Sequence, residues 1–195
     1  MEKASQPFTN AFAPQTLYLY GTYKPDGTPN FGLFCWATYC ADDGYRFVAC
    51  IGEDKLTRDR IRETGIFSAS VVSRTMLPGA DWCGSHSGRE VDKSLVIPSH
   101  RGAVLDVPVP DDSPWAYELR VTKTLHLDDA GKSEIYICEF ANTLVDARLQ
   151  DKALTCEEKL AIAAPIVTAN WNYFPLSGPS LGGWGSFKNE FGAAD

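Results

Sequence analysis

Alternation of apolar and polar positions dominates the chain and predicts a mainly β protein. Residues 16–23 (TLYLYGTY) are rich in aromatic and aliphatic side chains, and residues 24–27 (KPDG) supply turn chemistry. The β pattern resumes over residues 29–38, and Asp42-Asp43-Gly44 turns the chain into residues 45–51, which predicts a three-stranded antiparallel meander. The apolar run 47–51 reads as a buried strand that Gly52 ends. A short helix is predicted over residues 57–64, with Leu56 and Ile61 as buried contacts and Gly65 at its stop. A strand is predicted over residues 66–72. Residues 77–93, dense in Gly, Ser, Asp and Trp, predict a long loop, and residues 104–109 a short segment before a Pro-Asp-Asp-Ser-Pro turn.

The clearest hairpin joins residues 117–127 to 133–144 through a turn at 128–131. Residues 151–164 predict a short helix, with Thr155 as N-cap and Glu158 three residues on. From Trp171 the chain is aromatic and Gly-rich without a period, a tail expected to pack across a surface already built. There are no internal repeats and no low-complexity linker. The expectation is therefore one domain over residues 1–195: an antiparallel barrel with a few peripheral helices, a loose arm at 1–13, and a segment at 170–195 that covers the barrel or a dimer partner.

Composition narrows the function classes. A formal net charge of −7 argues against a nucleic-acid surface and makes local basic clusters stand out. No early stretch joins a basic start to a long apolar run, so the expectation is a cytoplasmic protein with no membrane partner. The six cysteines have no C-x-x-C pair and no histidine at metal-ligand spacing, so no metal site is expected. Cys50 and Cys138 sit in apolar runs and read as small core residues, whereas Cys35 and Cys83 flank candidate site segments.

The start of the helix after Gly52 is unusual in its charge. Lys55, Arg58 and Arg60 crowd an end where exposed N–H groups and the helix dipole already make the potential positive. A bound phosphate would resolve the conflict, with backbone N–H groups, the Thr57 hydroxyl, Lys55 and Arg58 as donors. The alternative is that Glu53, Asp54 and Asp59 neutralise the cluster as solvated pairs.

Several segments together resemble a known family. A strand and D-G turn are followed by Pro29-Asn30 leading to Trp36, then Cys50-Ile51-Gly52, then Lys55, Thr57, Ile61, Gly65 and Phe67 in K-x-T-x-x-x-I-x-x-x-G-x-F. This order is similar to the flavin reductase-like family of FMN-binding split barrels, and the loop GSHSGREVDK, the late hairpin and residues 170–183 agree with it. The long C-terminal segment looks more like the flavoredoxin type. The resemblance implies a split β-barrel of Greek-key type, a homodimer, and FMN in a cleft completed by a second subunit, its phosphate near Lys55, Thr57 and Arg58. It places Asn30, Cys35, Trp36, Ala37 and Thr38 along the ribityl chain and ring, with backbone of Cys50, Ile51 and Gly52 at flavin edges. Trp36 keeps a second reading as a core residue.

The same resemblance makes Ser87, Arg89 and Lys93 further polar contacts, against the alternative of a surface loop with Asp92 and Lys93 merely solvated. His86 is the one histidine placed near the flavin, as a nicotinamide or proton contact, although a lone loop histidine is more often structural. His126 reads as exposed and His100 as a turn residue. The function implied is an FMN-dependent oxidoreductase that takes electrons from NAD(P)H or a protein donor and passes them to a small-molecule or protein partner. A non-enzymatic electron carrier without a nicotinamide site is the alternative.

Overall fold

A computed structural model describes residues 3–5, 7, 13–52, 54–127 and 133–187. The strands are β1 (Gln15–Thr16), β2 (Tyr18–Tyr23), β3 (Pro29–Phe34), β4 (Ala37–Asp42), β5 (Gly44–Gly52), β6 (Ile66–Val71), β7 (Ser99–Arg101), β8 (Pro108–Pro110), β9 (Trp115–His126), β10 (Ser133–Val145), β11 (Ile166–Ala169) and β12 (Asn172–Pro175). The helices are α1 (Leu56–Thr64), α2 (Leu77–Ser85) and α3 (Cys156–Ala163). The expected mainly β, antiparallel fold is what forms.

Seven strands share one sheet in the order β3-β2-β6-β9-β10-β5-β4, every pairing antiparallel. Its edge strands β3 and β4 are separated in sequence only by Cys35 and Trp36. Two residues cannot cross a flat seven-stranded sheet, because adjacent strands lie almost 5 Å apart. The sheet therefore curls until its edges meet at this connection, where Ala37 N–H donates to Cys35 O (3.0 Å) and the bond from Cys50 N–H to Trp36 O (2.8 Å) extends the β4–β5 ladder. Beyond that junction the edges part, which is the split of the barrel. The expected meander is corrected accordingly: residues 29–38 form two strands on opposite edges, and β3 pairs only with β2. Side-chain packing divides at the junction too, with Phe34 against the barrel core and Leu33 and Cys35 against the second core under α2.

Inside the curl, Tyr20, Phe47, Ile51, Phe67, Leu119 and Tyr136 are almost fully buried. Cys138 belongs to this core, and burial raises its thiol pKa to about 12. Cys50 does not: the alternation of β5 sends Phe47, Ala49 and Ile51 inward and leaves Cys50 half-buried on the outer face. Helix α1 buries Ile61 as expected and ends at Gly65, whose left-handed φ of 70° lets its N–H reach Ile61 O at 2.8 Å. Leu56 is only half-buried. The Thr155–Glu158 capping box forms in both directions, and starts a helix shorter than the one expected.

The long loop expected at 77–93 is instead partly helical. Intrinsic propensity is poor there, with Gly79 and Gly84 inside the helix, but α2 buries Ala80 and Cys83, and tertiary packing decides. A Cβ at Gly84 would come within 3.0 Å of Leu33, and one at Gly79 within 2.8 Å of Ile97, so the glycines that weaken the helix are what allow it to seat. His100, expected in a turn, lies on β7 opposite Val109 and meets Asp111 at 2.7 Å. The β9–β10 hairpin forms with the expected pairing, and its turn lies outside the described residues.

One buried carboxylate ties the hairpin to the loop before β8. Glu118, wholly buried, accepts N–H from Ala103 (2.9 Å), Val104 (2.9 Å) and Leu105 (2.5 Å) and from the Asn142 amide (2.8 Å). Desolvation opposes the charge, but these four donors outweigh it and hold the pKa below the usual glutamate value. Loss of the carboxylate strands three backbone donors, so Glu118→Ala is expected to cost roughly 2–4 kcal/mol. Because the folded pKa is depressed, this stabilisation is complete above the ordinary carboxylate pKa and disappears as pH falls through the folded value. Thermal melts of wild type and Glu118→Gln should therefore differ by about 5 °C or more at neutral pH and converge in acid. A gap that persists in acid would contradict a charge-based role.

Candidate functional site

The widest gathering of expected site residues is a cleft of about 160 Å³ between the β3 edge, the start of α1 and the end of α2. Asn30, Gly32, Leu33 and Phe34 form one wall, Asp54 to Thr57 a second, and Cys83 to Gly88 with Lys93 the third. Asn30 is its pivot. Although 1% exposed, it sits at the cleft with its Nδ2 donating to Thr22 Oγ1 and Thr57 Oγ1, both at 3.2 Å. Its Oδ1 is buried and, among the described residues, accepts no hydrogen bond. Such an acceptor carries a penalty of about 1–3 kcal/mol until a donor reaches it. Gly88 is buried against the same amide, where any Cβ would overlap Oδ1.

The loop after α2 is fixed from both ends. Lys93 is buried, and its Nζ donates to Phe31 O (2.6 Å) and Cys83 O (2.7 Å), joining β3 to α2. Burial lowers its pKa. The reading of Lys93 as a solvated surface residue is therefore wrong, because a buried ammonium needs the carbonyls it has found. Arg89 reaches across to α1 and pairs with Asp54 (2.7 Å) and Asp59 (2.5 Å). Desolvation acts to raise the Asp59 pKa, but Arg89 and Arg58 pull it below its ordinary value. The acidic residues beside the helix start are thus turned toward Arg89 of a distant loop; Glu53 lies outside the described residues. Ser87 lines the cleft and anchors the loop turn, its carbonyl accepting from Glu90 and Val91 N–H.

His86 caps α2 with Nδ1 donating to Trp82 O (2.9 Å), since a carbonyl can only accept, and its ring stacks on Trp82 at 4.3 Å and 22°. The two rings lie face to face, His86 on the cleft wall and Trp82 behind it against the core under α2.

The expected residues divide. Asn30, Lys55, Thr57, His86, Ser87 and Lys93 share the cleft, with Arg89 bracing it. Arg58 is buried with its guanidinium 3.6 Å from Asp59 and is not among the wall residues. Cys35 and Trp36 line a shallower hollow of about 80 Å³ against Asn170 and Trp171. Trp36 is 49% exposed, which removes its reading as a core residue. It lies over Gly52, its ring 3.9 Å from where a Cβ would stand. Ala37 and Thr38 continue from Trp36 on β4 opposite Ala49 and Val48 of β5, whereas the Ile51 side chain is in the core. Asp54, expected only as a solvated partner of the helix-start cations, and Ser85, within the loop GSHSGREVDK but not among its expected contacts, also line the cleft.

Residues 11–172 match the family described as flavin reductase like domain. The chain belongs to the flavin reductase-like family. Its structure superposes on flavoredoxin of Desulfovibrio vulgaris (Miyazaki F) with a TM-score of 0.83 at 25% identity, covering 95% of this chain and 98% of that one. Flavoredoxin from Methanosarcina acetivorans gives a TM-score of 0.84 at 19% identity over 96% and 98% of the two chains. The FMN-binding protein from Thermus thermophilus, with bound p-hydroxybenzaldehyde, gives 0.73 at 21% over 94% and 98%. No curated protein matches the chain.

In this flavin reductase-like chain the Arg89 clamp is the joint most open to a simple test. Arg89→Ala is expected to speed amide hydrogen exchange across residues 86–91 while lowering global stability by no more than about 1 kcal/mol, since the pairs are partly exposed. Unchanged exchange in that loop would mean that Lys93 alone holds it.

Proposed function

We propose that the protein binds FMN non-covalently and passes electrons from NAD(P)H through it to an acceptor. The observation that carries this reading is the buried, unpartnered Asn30 Oδ1 in the same cleft as Lys55, Thr57 and the first N–H groups of α1. One site thereby offers an acceptor suited to a sugar-alcohol hydroxyl and, close by, donors suited to a phosphate. When bound, the isoalloxazine supplies the redox chemistry. The residues of this chain hold and orient: Lys55, Thr57 and the helix start take the phosphate, Asn30 a ribityl hydroxyl, and His86, stacked on Trp82, bounds the site on the α2 side.

The cleft is smaller than pockets that enclose a whole small molecule, which run to about 300–1,000 Å³. It suits the phosphate and ribityl end. The ring then rests outside, toward the exposed face of Trp36 and Gly52, and needs a cover. Trp171 (90% exposed), Leu181 (88%) and Trp184 (108%) provide a large uncovered apolar stretch in the C-terminal segment. A homodimer that buries this stretch and closes the ring site is part of the proposal.

Similarity to the Desulfovibrio flavoredoxin over nearly the whole chain favours one second reading, an electron carrier with no nicotinamide site. Stopped-flow mixing of the FMN-loaded protein with NADH and with NADPH separates the two. Fast, saturable bleaching is expected, and its absence with both donors would leave the carrier reading.

Lys55→Ala should weaken FMN by roughly ten- to more than a hundredfold while riboflavin binding changes little, because only FMN has the phosphate. Arg58→Ala, altered outside the cleft wall, should affect both ligands equally. Fluorescence titration reads both, and equal losses in Lys55→Ala would place the phosphate elsewhere. Light scattering of the FMN-loaded protein is expected to return a dimer mass; a monomer with flavin retained would refute the shared site.

A further inference from the structure

On another side of α1 lies a larger cavity, of about 500 Å³, that shares no wall residue with the cleft. It is framed by the β2–β3 turn, the second half of α1 and the Arg101–Asp106 loop. Three cations converge on it, Lys24, Arg60 and Arg101, with Asp106 as the acid among its walls. Those four side chains sum to +2, which Glu63 paired with Arg60 reduces to +1, in a chain whose net charge is −7. Tyr23, Pro25 and Ile66 add apolar surface.

Arg60 distinguishes this cavity from a chance surface dip. Its side chain is only 9% exposed, and its orientation is set by Nε donating to Tyr23 O at 2.7 Å and by Nη1 meeting Glu63, which lies outside the walls. A buried guanidinium is expensive to desolvate, and one already oriented presents its donors at little further entropic cost. Across the cavity Arg101 is held by Asp106 through Nε (2.8 Å) and Nη2 (2.7 Å). Lys24 reaches Val91 O at 3.2 Å. The cavity volume falls within the range of small-molecule sites.

We propose that this cavity binds a small organic phosphate monoester, its dianionic group drawn to Lys24, Arg60 and Arg101 and its body against Tyr23, Pro25 and Ile66. A phosphate monoester carries close to two negative charges at neutral pH, and here it meets three cations against two acids, Asp106 on the wall and Glu63 on Arg60. The site is separate from the proposed FMN cleft and does not depend on that assignment.

Calorimetric titration at low salt with adenosine 5′-monophosphate and with inorganic phosphate tests it, on wild type, Arg101→Gln and Lys24→Gln. Arg60→Gln is a less clean variant because Arg60 also supports the Tyr23 carbonyl. Expected are saturable binding of the monophosphate at least tenfold tighter than inorganic phosphate and a loss of tenfold or more in both variants, whose residues are absent from the other cleft. Circular dichroism melts unchanged in both variants would exclude misfolding as the cause. Absence of binding, equal binding in all three proteins, or inorganic phosphate binding as tightly as the ester would overturn the proposal.

Discussion

The fold depends on one constraint: the two residues Cys35 and Trp36 must carry the chain from one edge of a seven-stranded sheet to the other. That forces the sheet to curl, encloses the Tyr20–Phe47–Phe67 core, and brings the β3 edge beside the start of α1. The cleft lies where that edge meets the start of α1 and the end of α2. Asn30 then ties β2, β3 and α1 together through its single amide group. The price is a buried acceptor that, among the described residues, accepts no hydrogen bond, packed against Gly88 at the cleft.

Charge is distributed with similar economy. Asp59 pairs with Arg58 on its own helix and, together with Asp54, also holds Arg89 from the loop after α2. Lys93 anchors the same loop from beneath through two carbonyls. Loop position and cleft electrostatics are therefore one problem with one solution, and a change in either pair moves both.

The sequence by itself determined what local physics controls. Strand alternation in residues 16–23 and 117–144, the Gly65 stop and the Thr155–Glu158 capping box each depend on neighbours a few residues away, and all are present. The basic helix start was legible for the same reason, because helix-end potentials are local. Its Lys55 and Thr57 do line the cleft. Tertiary structure decided the rest. α2 forms against its own propensity because burial of Ala80 and Cys83 against β3 outweighs two glycines. β3 and β4 part because closure of the sheet requires it, and no periodicity reports closure. Arg58 is buried beside Asp59, Lys93 went inside, and Arg89 found carboxylates 30 and 35 residues distant. These outcomes rest on pairings between segments far apart in the chain, whose free energy appears only once the sheet has curled.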